Sequence, residues 1–181
     1  QNIDASQPTD EYKKLRLGIV GHGFVGSAVE YAFTHREIET FLVDPKYDTT
    51  VDDLLEWKPN LTFVCAPTPM GDDGSVDASI VEDAVMKLLE HTDGGVNIKS
   101  TIPPDVVNRI WNSIFDDDLK RVTYNPEFLT ESNANEKFVD APHHIIGGHP
   151  DACRGMASIY DLYTTCNANE YVFMGASEAA F

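Results

Sequence analysis

Leu15-Arg16-Leu17-Gly18-Ile19-Val20-Gly21-His22-Gly23-Phe24-Val25-Gly26-Ser27-Ala28-Val29-Glu30-Tyr31-Ala32-Phe33 carries three signals in succession. The apolar run to Val20 reads as a strand, Gly21 to Gly26 as a G-x-G-x-x-G turn, and Phe24 onward as a helix of 3.6-residue period. Strand, turn and helix in that order form a dinucleotide-binding fingerprint. Gly21 is expected to turn the chain sharply out of the strand and Gly23 to let backbone approach a pyrophosphate. Gly26 is expected to let helix and strand pack closely. The helix start, with Phe24 and Val25, offers unpaired N–H groups and a positive dipole end to phosphates.

Outward from this stretch, strands and helices alternate. Ile38 to Val43 reads as a second strand that ends at Asp44. A carboxylate about 20 residues beyond the glycines is placed to bind the adenosine ribose hydroxyls. It would repel a 2′-phosphate, which favours NAD over NADP, although Lys46 is a nearby cation that could tolerate one. Thr50 caps a short helix, Val51 to Trp57, with Asp52 and Asp53 in its first turn, where the dipole favours acids. A third strand, Leu61 to Cys65, runs into the proline-framed loop Ala66-Pro67-Thr68-Pro69. The helix after Ser75 sets Ile80, Val81, Ala84, Val85, Leu88 and Leu89 on one face.

Gly95 to Lys99 reads as the fourth strand and continues into Ser100-Thr101-Ile102-Pro103-Pro104, whose prolines suit the first turn of a helix through Ile114. Arg121 to Tyr124 is the fifth strand and runs into Asn125-Pro126-Glu127-Phe128-Leu129-Thr130-Glu131. A small helix near Asn133 to Phe138, a strand from His144 to Gly147, a helix from Pro150 and a strand from Glu170 to Phe173 complete the pattern. The alternation predicts an α/β fold: one doubly wound, Rossmann-type domain with a mostly parallel sheet and helices on both faces. Residues 1–12 are expected to be a flexible leader, 13–175 the domain, and 176–181 the start of a further helix. In such a sheet the ends carrying the glycines, Asp44, Thr68, Thr101, and Glu127 with Glu131, open on one crevice.

A formal net charge of −17 argues against general nucleic-acid or anionic-membrane binding. No apolar run approaches the roughly 20 residues that span a bilayer. Cys65, Cys153 and Cys166 are widely spaced, without C-x-x-C, and the first residues show no secretory signal, so reduced thiols in a cytoplasm are expected. His143, His144 and His149 match no trusted zinc spacing, and no metal site is expected.

Gly21-His22-Gly23-Phe24-Val25-Gly26, Ala66-Pro67-Thr68-Pro69, Lys99-Ser100-Thr101-Ile102-Pro103-Pro104 and Asn125-Pro126-Glu127-Phe128-Leu129 occur in this order and spacing. From about Leu15 onward the chain resembles the N-terminal, NAD-binding domain of the UDP-glucose/GDP-mannose dehydrogenase family. The resemblance implies an NAD-dependent four-electron oxidation of a nucleotide sugar, UDP-glucose foremost, from primary alcohol to carboxylate. It implies that Gly21, Gly23, Phe24, Val25 and Gly26 form the pyrophosphate loop and that Asp44, with Lys46, meets the ribose. By the same resemblance Thr68 and Thr101 line the nicotinamide side, Thr101 and Glu127 take part in catalysis, and Glu127 assists water attack on a thioester. Glu127, Phe128, Leu129 and Thr130 would hold the nucleotide sugar, and Glu131 would lie near the cofactor.

Departures from the family pattern stand beside these matches. Ser132 and Asp105 replace glycines, and Pro142-His143-His144-Ile145-Ile146-Gly147 lacks the usual Asp-Arg before its strand. The family's lysine and asparagine lie on a long central helix, and its nucleophilic cysteine in a glycine-rich motif of the following domain. None of the three cysteines here sits in such a motif, so the expectation is a chain that binds NAD without turning over the sugar. A homodimer is expected only of a longer parent, since the family's dimer is built on that helix. Two other readings of these residues remain open: a β-hydroxyacid dehydrogenase on the same fold, and a stand-alone nucleotide-binding module without catalysis.

Overall fold

β1 (Leu15–Val20) is fully buried over its last four residues, as a strand covered on both faces must be, and its apolar run is continuous rather than alternating. It is the second strand of a seven-stranded sheet of order β2-β1-β3-β4-β5-β6-β7, seen in a computed structural model that describes residues 14–127, 129, 132–167 and 170–180. β2 (Ile38–Val43), β3 (Leu61–Val64), β4 (Gly95–Ile98) and β5 (Val122–Tyr124) run parallel to β1. Their ends are level: Val20 pairs with Val43 and Val64, Val64 with Ile98, and Ile98 with Tyr124. The loops leaving all five strands therefore emerge at one edge.

The last two strands depart from that direction. β6 (His144–Gly148) is antiparallel to β5, and β7 (Tyr171–Met174) runs parallel to β6. β7 thus begins one residue later than expected, and β6 extends one further. The reversal carries the first residue of β6, His144, to the edge where β1–β5 end.

Helices cover both faces. α1 (Phe24–Ala32), α5 (Ala134–Val139) and α6 (Pro150–Tyr163) pack Val29, Phe138, Met156 and Tyr160 against Leu17, Ile19 and Phe63. α2 (Val51–Trp57), α3 (Ser79–His91) and α4 (Pro104–Asn112) pack Leu54, Val85, Leu88 and Val107 against Val64, Ile98 and Tyr124. α2 starts as expected. The Thr50 hydroxyl accepts from the Asp53 N–H at 3.3 Å, and the Asp53 carboxylate accepts from the Thr50 N–H at 2.7 Å, which closes a capping box.

Ile80 does not face inward. It is 49% exposed, in the first turn of α3, where it borders a cleft instead of the core. Glu178–Ala180 forms a short 3-10 turn, and Ala179 packs against Gly147 closely enough that a side chain at Gly147 would strike it at 2.8 Å. Among the described residues no helix is long and apolar enough to cross a membrane, and no group of three metal-binding side chains is assembled.

Candidate functional site

The order β2-β1-β3 places the sheet's switch point between β1 and β3, because the chain leaves β1 toward β2 on one side and returns to β3 on the other. A crevice opens there, as it does beyond the carboxyl ends of strands in open α/β sheets. One part encloses about 380 Å³ between the glycine loop, Cys65 to Thr68, and Lys99 to Thr101. A second part of about 690 Å³ lies between Val43-Asp44-Pro45 and α3 and is lined by Val51, Ile80 and Ala84. Gly21, Asp44, Ala66 and Pro67 line both parts, so the two are one continuous groove.

The glycine loop is shaped by close approach. Gly21 has φ +87°, and a Cβ on it would lie 2.6 Å from the Cys65 carbonyl oxygen. A Cβ on Gly26 would lie 2.1 Å from the Gly21 carbonyl oxygen, well inside any tolerable contact. Gly23 has nothing within 4 Å of such an atom and faces open space at the start of α1. The N–H groups of that first turn are thus offered to the groove. Phe24 is 44% exposed beside them.

Asp44 ends β2 against this loop. Its carboxylate accepts the His22 N–H at 2.7 Å and the Lys46 N–H at 3.1 Å, and these bonds hold its carboxyl below the usual range. The Lys46 ammonium donates to the His22 carbonyl and lies 5.0 Å from the Tyr47 ring centroid. The His22 ring, almost fully buried, is hydrogen-bonded through Nε2 to the Glu30 carboxylate at 2.7 Å and through Nδ1 to the Tyr47 hydroxyl at 2.9 Å. The residue between the first two glycines therefore clamps loop, α1 and the turn after β2 together. Neither His22 nor Tyr47 stood out in the sequence, because the bond joins residues 25 apart that share no motif.

The loops after β3, β4 and β5 are laced to one another. The Thr68 hydroxyl donates to the Thr101 carbonyl at 3.1 Å, and the Thr101 hydroxyl to the Glu127 carbonyl at 3.4 Å. The Ser100 hydroxyl donates to the Ala66 carbonyl at 2.7 Å. Glu127 itself lies 3.0 Å from the Lys99 ammonium, a lysine with no exposed side-chain surface. Leu129 packs against the core beside α5. Phe128, Thr130 and Glu131 lie outside the described residues.

No cysteine is poised as a thiolate. Cys65 is on the floor of the groove, where burial pushes its thiol up to about 12, with the Lys99 charge opposing that rise. Burial also raises Cys153 and Cys166, whose thiols point at the carbonyls of Ile146 and Phe138.

A sequence profile of the UDP-glucose/GDP-mannose dehydrogenase family, NAD binding domain, matches residues 49–167, which include Thr68, Thr101 and Glu127. The chain belongs to that family. Its glycine loop and Asp44 precede the matched span, so the local geometry described above is what joins them to it. A UDP-glucose 6-dehydrogenase of Rickettsia bellii is 38% identical over 88 residues, 47% of this chain and 20% of the relative. One from Haloferax volcanii is 27% identical over 211 aligned positions, covering 91% of this chain and 49% of the relative. The chain thus spans about half, or less, of the length of these curated family members.

Solved structures agree on the fold. A UDP-glucose dehydrogenase from Pyrobaculum islandicum superposes with a TM-score of 0.71 at 21% identity, over 95% of this chain and 49% of the other. A GDP-mannose dehydrogenase ternary complex from Pseudomonas aeruginosa gives 0.71 at 20% identity, over 91% and 47%. Family membership implies an oxidoreductase domain for an NAD-type cofactor.

Proposed function

We propose that the groove binds NAD, and that the chain supplies the cofactor-binding part of a nucleotide-sugar dehydrogenase that oxidises UDP-glucose, or a closely similar sugar nucleotide, to the uronate. The observation that carries this reading is the joining of the glycine loop, Asp44, Thr68 and Thr101 along one groove at the switch point of the sheet. In this reading adenine fills the larger, apolar part beside Ile80, which accounts for an exposed isoleucine on α3. The ribose diol donates to Asp44, whose two oxygens retain lone pairs after accepting two N–H groups. The pyrophosphate lies over Gly23 at the N-terminus of α1, and nicotinamide extends toward Thr68 and Thr101. A 2′-phosphate would meet the Asp44 charge, while Lys46 is already engaged with the His22 carbonyl, so NAD is preferred over NADP.

The bound cofactor would accept hydride from the sugar carbon. This chain's contribution is to orient its two rings and to hold Glu127 near the nicotinamide end. Thioester chemistry requires a thiolate, and none of the three thiols is built for one. The function assigned to these residues is therefore cofactor binding, with no turnover of UDP-glucose by the chain alone. Calorimetric titration with NAD, then UDP-glucose, with NADH followed by absorbance, tests this. Heat from NAD without NADH formation is expected. Sustained NADH production would contradict the absence of turnover, and no NAD binding would contradict the reading itself.

A further inference from the structure

Lys99 is an unusual residue to bury, since an ammonium loses its hydration and must recover every hydrogen bond from the protein. It does so here. It donates to Asn125 Oδ1 at 3.2 Å and to the Tyr160 hydroxyl at 3.3 Å, and it lies 3.0 Å from Glu127 Oε2. These contacts use all three of its donors. The Phe138 ring centroid lies 4.9 Å away. The partners are themselves fixed: the Tyr160 hydroxyl donates to Asn125 Oδ1 at 2.7 Å, and Asn125 Nδ2 to the Ile145 carbonyl at 2.7 Å.

This cluster touches the groove. Lys99, Ser100 and Thr101 form part of its wall beside Cys65 and Thr68, and the Thr101 hydroxyl donates to the Glu127 backbone. Cys65, on the floor, feels both charges in opposite senses. A buried ion pair is seldom more stabilising than an apolar pair of equal volume, so stability alone does not account for it.

We propose that Lys99 is a positioning residue that fixes the Glu127 carboxylate at the nicotinamide end and, as its matched countercharge, sets how that end discriminates oxidised from reduced cofactor. The inference rests on the reading of the groove as an NAD site. Nicotinamide is cationic in NAD and neutral in NADH. With Lys99 and Glu127 paired, neither form is strongly favoured. Without the ammonium, the remaining carboxylate attracts the cationic ring; without the carboxylate, the remaining ammonium repels it.

The test is the ratio of the NADH to the NAD dissociation constant in the wild-type chain, Lys99→Met, Glu127→Gln and the double variant. The ratio is expected to rise in Lys99→Met and to fall in Glu127→Gln, each on the order of fivefold for an unbalanced charge in a partly wet site. In the double variant it should return to within about twofold of wild type, which a double-mutant cycle reads as coupling. A purely structural role weakens both ligands alike and leaves the ratio unmoved. That result, or single variants that move the ratio in the same direction, overturns the proposal. Should Lys99→Met not fold, Lys99→Arg is expected to hold the ratio while Glu127→Gln lowers it, and any other pattern is contrary. A wild-type chain that binds neither form contradicts the NAD reading, and the proposal with it. Normal binding with an unmoved ratio contradicts only the role of Lys99.

Discussion

Where β1 and β2 end, the glycine loop offers backbone N–H groups to the groove, and the Asp44 carboxylate is held against that loop by the His22 N–H. At the β4–β5–β6 end the polar groups are side chains, an ammonium, a carboxylate, an amide and a phenol, closed into a buried network. The first end depends on the absence of side chains, so its tolerance to substitution is limited by space. The second depends on charge balance, so its tolerance is limited by what is left behind when one partner goes. Each rule can be broken separately.

The largest effect is expected from Gly26→Val. Its Cβ would overlap the Gly21 carbonyl at 2.1 Å, which leaves backbone as the only thing able to move. A loss of about 3 kcal/mol or more in urea unfolding is expected, together with loss of NAD binding. If stability is kept and NAD still binds, the close-approach account of this end is wrong.

Glu127→Gln probes the other rule by leaving Lys99 buried without its counter-ion. Because the Glu127 side chain keeps 11% exposure and water can partly compensate, a cost of about 2 to 3 kcal/mol is expected, below the range for a fully enclosed pair. Urea midpoints that match wild type would show that the ammonium does not need the carboxylate.

His144 gives the second end a pH signature. It stacks on Tyr160 with centroids 4.3 Å apart, and its Nε2 is buried without a hydrogen-bond partner among the described residues. Burial, then the Lys99 charge, lowers its pKa from 6.5 to about 4; His143 pushes the same way, while Glu127 and Asp161 oppose. The unfolded chain therefore binds the extra proton first. This residue's contribution to stability is complete above pH 6.5 and is lost as the pH falls toward 4. A drop of about 2 kcal/mol across that window is expected, flattened in His144→Phe. An equal slope in the variant would assign the acid sensitivity elsewhere.

Thr50→Ala should cost least, about 1 kcal/mol, because it removes one half of a capping box on an exposed helix start. Thermal melts check it, and a cost as large as that of Glu127→Gln would mean that α2 supports the groove more than its packing implies.

The contrast between the two ends also explains what was legible in the sequence. Gly21 to Gly26, Asp44 and Thr50 are local or near-local signals, each with its own chemistry, and the strand–helix alternation carried the doubly wound fold. The direction of β6 was not legible, since a strand of this kind looks the same in either orientation. Only its antiparallel pairing brings His144 to the edge of the sheet where β1–β5 end. Ile80 fits the inward period of α3, yet the core on that side is already filled by Val81, Val85 and Leu88, and the cleft takes it instead. Lys99 was visible only as a letter in a motif. Its partners Asn125 and Tyr160 stand 26 and 61 residues away, so their convergence depends on the completed sheet and α6.

The account rests on Asp44 reading a ribose in the groove. Calorimetric titration of the wild-type chain and Asp44→Asn with NAD and with NADP tests it most directly. Wild type is expected to bind NAD at one site and NADP at least about tenfold more weakly, and Asp44→Asn to lose most of that preference. Equal affinity of wild type for the two cofactors, or a preference that survives in Asp44→Asn, would contradict it.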